Sequence, residues 1–178
     1  MGQAAATLRN YLSNNKEAIV TKWFQFLLGV YPPETVKNFQ RKNQFTNPIG
    51  HNFHQGLSEI FDELINDFRL GELQGHLDRI LRILAVQNVA PSRAIGFIFM
   101  FKRILREEVK NIQNGSSNYY EELYQLEIKI DELALLAFDV YVSCRESIYQ
   151  LRLDETNKRY EILEKLNLAE HKAELSEE

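Results

Sequence analysis

A chain of 178 residues, 44% apolar and 26% charged, is the length of one globular domain with enough apolar material for a core. Its formal charge of −4 is carried by residues 154–178, where eight acids face four bases, while residues 1–153 balance 17 bases against 17 acids. No basic patch remains to neutralise phosphates, which excludes an ordinary nucleic-acid binder.

Residues 3–13 form a short expected helix, with Leu8 and Leu12 one turn apart. Ser13, Asn14 or Asn15 caps the next, over 15–30, whose apolar face is Ile19, Trp23, Phe26, Leu27 and Val30. Tyr31-Pro32-Pro33 ends it. A short helix over 34–40 presents Val36 and Phe39, and a polar connection follows over 41–46. Asn47-Pro48 reads as N-cap and first helical residue of a five-turn helix carrying Ile49, Phe53, Leu57, Ile60, Phe61, Leu64, Ile65 and Phe68. Gly71 is expected to stop it. A helix over 72–87 then places Leu73, Leu77, Ile80, Leu81 and Leu84 on one face, and a turn over 88–91 follows.

The stretch 90–110 begins apolar on every helical face over 94–101. Such a segment must be wrapped by protein or lipid, and eight residues are too few to cross a bilayer, which takes about 20. It is expected to be the central helix of the bundle, with Asn114-Gly115 as a left-handed cap after residue 113.

Between residues 118 and 168 there is neither Pro nor Gly. One helix of that length reaches roughly 75 Å, whereas a domain of this size is about 35–40 Å across. Its end must project or meet a partner. Leu123, Leu126, Ile130, Leu133, Ala137, Val140, Cys144, Ser147 and Leu151 repeat at alternating steps of three and four. Of these, Leu126, Ile130, Leu133, Val140 and Leu151 are the candidate dimer or output face. A second set, including Ile128, Leu135, Phe138, Tyr141 and Val142, lies on other faces. The expected organisation is an all-α domain of about six helices over 1–150 and a helical tail over 151–178 continuous with the last helix.

Candidate chemistry is sparse. His51 and His54 are three residues apart near a helix start and could share a metal, although sequence pins no third ligand beside them. His76, ahead of the central helix, is a candidate axial ligand if the domain held haem. Trp23, Phe53, Phe97 and Phe101 either line a pocket or fill the core. Asp62-Glu63 and Asp131-Glu132 are adjacent pairs that point to different faces and so make poor acid/base couples. No Gly-rich phosphate loop and no Gly-x-Ser-x-Gly elbow occur. Cys144, alone on an apolar stripe, is a small core residue rather than a nucleophile. As a single cysteine it excludes a disulfide within the chain and suits a reducing compartment. The first residues lack a basic segment ahead of an apolar core, and Ala6 stands where myristoylation wants Ser or Thr. The expectation is a cytoplasmic, non-enzymatic protein with no cofactor, no metal and no membrane insertion.

Three stretches carry a resemblance. Asn47-Pro-Ile-Gly-His51 opens one helix, Leu84-Ala-Val-Gln-Asn88 closes another, and Ala90-Pro-Ser-Arg-Ala-Ile-Gly-Phe97 runs into Phe101-Lys-Arg-Ile-Leu-Arg-Glu107. With Trp23 ahead of them, they resemble the N-terminal domain of RsbRD-type proteins, the RsbT co-antagonists of the bacterial stressosome, over roughly residues 8–149. The resemblance implies a globin-like sensory domain without haem, associating as a homodimer and leaving through a long last helix toward a downstream protein partner. Full co-antagonists continue into a phosphorylatable output domain, and this sequence ends at Glu178, so the expectation is a stand-alone regulatory module. The alternative is a haem- or small-ligand-binding globin-like sensor.

Overall fold

The computed structural model describes residues 7–39, 47–112 and 117–174, and in the last helix the side chains of 119–167. The expected connection over 41–46 and the Asn114-Gly115 cap lie outside the described residues, as does the start of the first helix. Seven helices and no strand are found among the described residues: α1 Leu8–Asn14, α2 Lys16–Leu28, α3 Pro33–Phe39, α4 Pro48–Ile65, α5 Leu70–Val86, α6 Pro91–Asn111 and α7 Ser117–Glu174. The fold is all-α with a long C-terminal helix.

Local signals set several boundaries. Thr7 caps α1 through its hydroxyl, which accepts from Asn10 N at 3.2 Å. Asn47 is buried and does two jobs: its Oδ1 accepts from Gly50 N at 2.9 Å, and its Nδ2 donates to Phe39 O, fastening α3 to the start of α4. A Cβ on Gly50 would run into that carbonyl and the Asn47 side chain, so the junction requires glycine. Pro48 and Pro91 occupy first-turn positions, where a missing N–H leaves nothing unsatisfied.

Five helices close a ring, in which α2 packs on α4 and α6, α4 on α5, and α5 and α6 both on α7. The ring encloses Trp23, Phe61, Leu81, Phe101 and Ile130, all fully buried. α1 packs on α2, α4 and α7 through the buried Leu8 and Leu12, and α3 packs on α4. Gly56 lets α4 and α5 approach closely, since a Cβ there would lie 3.0 Å from the Ile80 side chain.

Three expectations are corrected. Gly71 does not end α4; it lies in the first turn of α5, and the chain reverses over 66–69, with Phe68 at a φ of 50°. The buried face of α2 includes Phe24 instead of Phe26, which is 38% exposed. α6 is not wrapped on all sides, because a ring member has two main neighbours, here α2 and α7. Phe99 and Met100 are left facing outward, 48% and 37% exposed.

The α4–α5 reversal is held by charge. The buried Glu63 carboxylate accepts from Arg69 N and Arg69 Nε, both at 3.2 Å, and from the far guanidinium nitrogen of the same arginine. These hydrogen bonds hold Glu63 below its ordinary 4.5, against a smaller upward push from burial. A carboxyl depressed in the folded state contributes stability that is complete above its unfolded value and disappears as pH falls through its folded one. Glu63→Gln is therefore expected to lower stability at neutral pH and to flatten the loss of stability below about pH 4.5, read from urea midpoints across an acid series. Parallel acid limbs for the two proteins would show that this contact does not set the response.

Candidate functional site

The feature that sets this domain apart is α7, 58 residues long and engaged with the ring over only part of its length. Its inner face is Leu123, Leu126, Ile130, Leu133, Ala137, Val140 and Cys144, all buried. Polar contacts fix it lengthwise. Arg106 of α6 grips Glu127 through Nε at 2.6 Å and a second nitrogen at 2.9 Å, and Lys102 meets Asp131 at 2.6 Å. The Arg106 guanidinium holds the Glu127 carboxyl below the usual range. Further along, Tyr141 donates to Val89 O, and Arg145 donates to Ala85 O at 3.0 Å, tying α7 to the α5–α6 corner. Both neighbours thus hold α7 by polar contacts as well as by packing.

Ile148 is the last half-buried residue, and from Tyr149 to residue 167 every side chain is exposed. At 1.5 Å per residue the helix continues about 39 Å beyond the ring.

A second face of α7 points away from the ring. Tyr120, Tyr124, Ile128, Leu135 and Phe138 are exposed along it, Leu135 at 71%. Between this face and the outward side of α6 runs an apolar groove lined by Pro91, Ile95, Phe99, Ala134, Leu135 and Phe138. With 100° of turn per residue, Leu135, Phe138, Val142, Tyr149, Leu153, Tyr160 and Leu163 all fall within about 40° of one line along the helix. The groove and the projecting tail share one side of the helix, on which Asp131, Arg145, Thr156 and Asn167 interrupt the apolar residues.

The structure redistributes the expected site residues. Leu126, Ile130, Leu133 and Val140 are buried against the chain's own helices, and of that set only Leu151 is exposed, at 67%. The reason is that α5 and α6 need α7 as the last wall of the ring. The heptad rhythm is used inside the chain, and the face left open is the other one.

Trp23, Phe97 and Phe101 form a packed cluster. The Trp23 ring stacks on Phe101 at 4.1 Å, lies 6.0 Å from Phe97, and its Nε1 donates to Phe97 O at 2.8 Å. Phe61 meets Phe101 edge-on at 6.0 Å. Phe53 belongs to a separate group with Tyr31 and Phe39. These rings fill the interior with each other.

His76 is turned toward α4, its Nδ1 2.9 Å from Glu59 Oε2, which Arg79 also meets at 2.8 Å. That setting, at the ring's edge and beside an ion pair, does not fit an axial haem ligand reaching into a central pocket. His54 packs edge-on against Phe24, 5.7 Å away, and lies 3.8 Å from Glu17. Among the described residues no three His, Cys, Asp or Glu are grouped to hold a metal ion. Cys144 lies 3.4 Å from Asp78 Oδ1, and burial together with that carboxylate pushes its thiol up to about 11, leaving it protonated and a poor nucleophile at neutral pH.

One polar cluster escaped the sequence reading. Glu108 is 6% exposed and accepts from Lys22 Nζ at 2.5 Å and from the Tyr11 hydroxyl at 3.1 Å, joining α6 to α1 and α2. Its signal was position: four residues after Ile104 and three after Leu105, it sits on the inward face of α6. It has two partners, and its chemistry is structural.

The family model described as the RsbT co-antagonist protein rsbRD N-terminal domain matches residues 17–156. The chain belongs to that family, which consists of sensory and regulatory domains of the stress-response, partner-switching type. It is also similar to an uncharacterised protein of Archaeoglobus fulgidus, 29% identical over 96 residues, a span that covers 53% of this chain and 59% of that protein. No solved structure matches it. No helix among the described residues is long and apolar enough to cross a membrane.

Proposed function

We propose that the chain is a non-catalytic, cytoplasmic regulatory module that works as a homodimer and delivers its state to a partner protein through α7. A single observation carries this reading: one helix is bolted to two walls of the core at Glu127, Asp131, Tyr141 and Arg145 and then runs on fully exposed from Tyr149. An exposed helix with Leu151, Leu153, Tyr160, Ile162, Leu163 and Leu166 on its surface is costly in water unless something covers it. Dimerisation is supported by the outward apolar residues Phe99, Leu135 and Phe138 beside the groove. We also read the helices as following a globin-like plan in which Trp23, Phe61 and Phe101 take the space a haem would need.

The output role is tested by comparing the full chain with a version lacking residues 154–178 as baits in native cells, after circular dichroism has shown both to be folded. The expected result is a specific protein retained by the full chain and lost with the tail removed. Identical captures by the two baits would contradict a tail-borne output.

A further inference from the structure

The tail carries its own instructions for pairing. Tyr149, Leu153, Thr156, Tyr160, Leu163 and Asn167 follow one another at steps of 4, 3, 4, 3 and 4, and all six are exposed. Steps alternating in this way keep a seam on one side of a helix that supercoils with another. In heptad terms Leu153, Tyr160 and Asn167 take the a positions, and Tyr149, Thr156 and Leu163 take d.

The flanking positions decide the occupant. Preceding the seam's a residues are Arg152, Arg159 and Leu166, and following its d residues are Gln150, Asn157 and Glu164. When two copies of this helix run parallel and in register, each g residue faces the e residue five positions further along its partner. Arg159 then meets Glu164 of the partner subunit, and Arg152 meets Asn157 of the partner subunit. An antiparallel pair would set Arg152 and Arg159 of one helix against the same two arginines of the other, which is repulsive. Asn167 supports the same register. A buried a-position asparagine finds its hydrogen-bond partner in its own counterpart, and a shifted or larger assembly leaves it unpaired.

We propose that the exposed ends of α7 from two copies of this chain pair as a parallel, in-register, two-stranded coiled coil with Tyr149, Leu153, Thr156, Tyr160, Leu163 and Asn167 as its seam. This rests on the homodimer reading and adds to it a direction, a register and a face. Both tails leave the same end of the dimer, on the line that already runs through Leu135 and Phe138. A shift of α7 against α5 or α6 therefore alters the crossing of two stalks held together, and the paired stalk is the surface a partner reads.

The test uses the full chain with Cys144→Ala and single added cysteines under mild oxidation. Thr156→Cys and Leu163→Cys are each expected to link to their own counterparts, at least roughly tenfold more than Lys158→Cys, which faces away from the seam. An antiparallel pair has one centre and can link at most one of the two seam positions. Arg159→Glu is expected to raise the dimer dissociation constant by roughly fivefold, and adding Glu164→Arg to restore it to within about twofold. A dimer in which only one seam position links, or Lys158→Cys links equally well, or the reversed pair gives no rescue, overturns the seam while leaving the homodimer standing. A monomer overturns both.

Discussion

Trp23→Ala is expected to destabilise the domain by about 3–5 kcal/mol, the range for truncating a large aromatic side chain in a closed core. Three losses combine. The indole is fully buried, so its removal opens a void between α2 and α6 that the surrounding rings cannot fill without leaving their rotamers. The stacking on Phe101 at 4.1 Å disappears. Phe97 O, which accepts from Trp23 Nε1 at 2.8 Å, loses that additional donor. Urea unfolding measures the effect as a lowered midpoint with an unchanged slope. A loss below about 1 kcal/mol would show that the cluster collapses around the gap and that Trp23 is not the keystone of the α2–α6 contact.

The second large effect concerns assembly. Leu135 and Phe138 are 71% and 51% exposed, so glutamates there meet water in the single chain and an apolar surface in the dimer. The double substitution Leu135→Glu, Phe138→Glu is expected to weaken association at least about 100-fold, equivalent to about 2.7 kcal/mol, while leaving helix content unchanged. Leu133→Glu and Val140→Glu give the opposite pattern. These side chains are 0% and 6% exposed within their own chain, so a carboxylate there unfolds the ring. Two substitutions on each face of one helix thus separate the surface that holds the fold from the surface proposed to hold the pair.

That distinction marks how far the sequence could be read. One element started where local chemistry said it should, at Asn47-Pro48, because a cap and a first-turn proline act within one turn of the chain, whereas Pro91, read as the end of a turn, is the first residue of α6. The end of α4 was hidden, because it depends on a carboxylate reaching six residues ahead to Arg69, a contact that periodicity does not encode. Both apolar stripes of α7 were visible in the spacing of Leu, Ile, Val and Phe. Which stripe belongs inside was not, since a heptad rhythm states that a face is packed and is silent on whether the partner is α5 or another molecule. The all-round apolar stretch of α6 shows the same limit. Periodicity implies full cover for Phe99 and Met100 from the chain's own helices, but the ring covers them only in part.

The aromatic set divides along similar lines. Trp23, Phe97 and Phe101 share one cluster because α2 and α6 cross there, whereas Phe53 faces Tyr31 and Phe39 around the start of α4. Helical spacing places each ring on an inward face and leaves open which rings meet. Glu108 shows the reverse case, a charge on an inward face whose partners, Lys22 and Tyr11, come from helices about 90 residues earlier.

The central claim is that the outward face of α7 joins two copies of the chain, and sedimentation equilibrium tests it most directly. The account predicts a mass of twice 20.9 kDa for the unmodified chain at high micromolar concentration and 20.9 kDa for Leu135→Glu, Phe138→Glu under the same conditions. A single-chain mass for the unmodified protein, or a dimer that survives both glutamates, would contradict it.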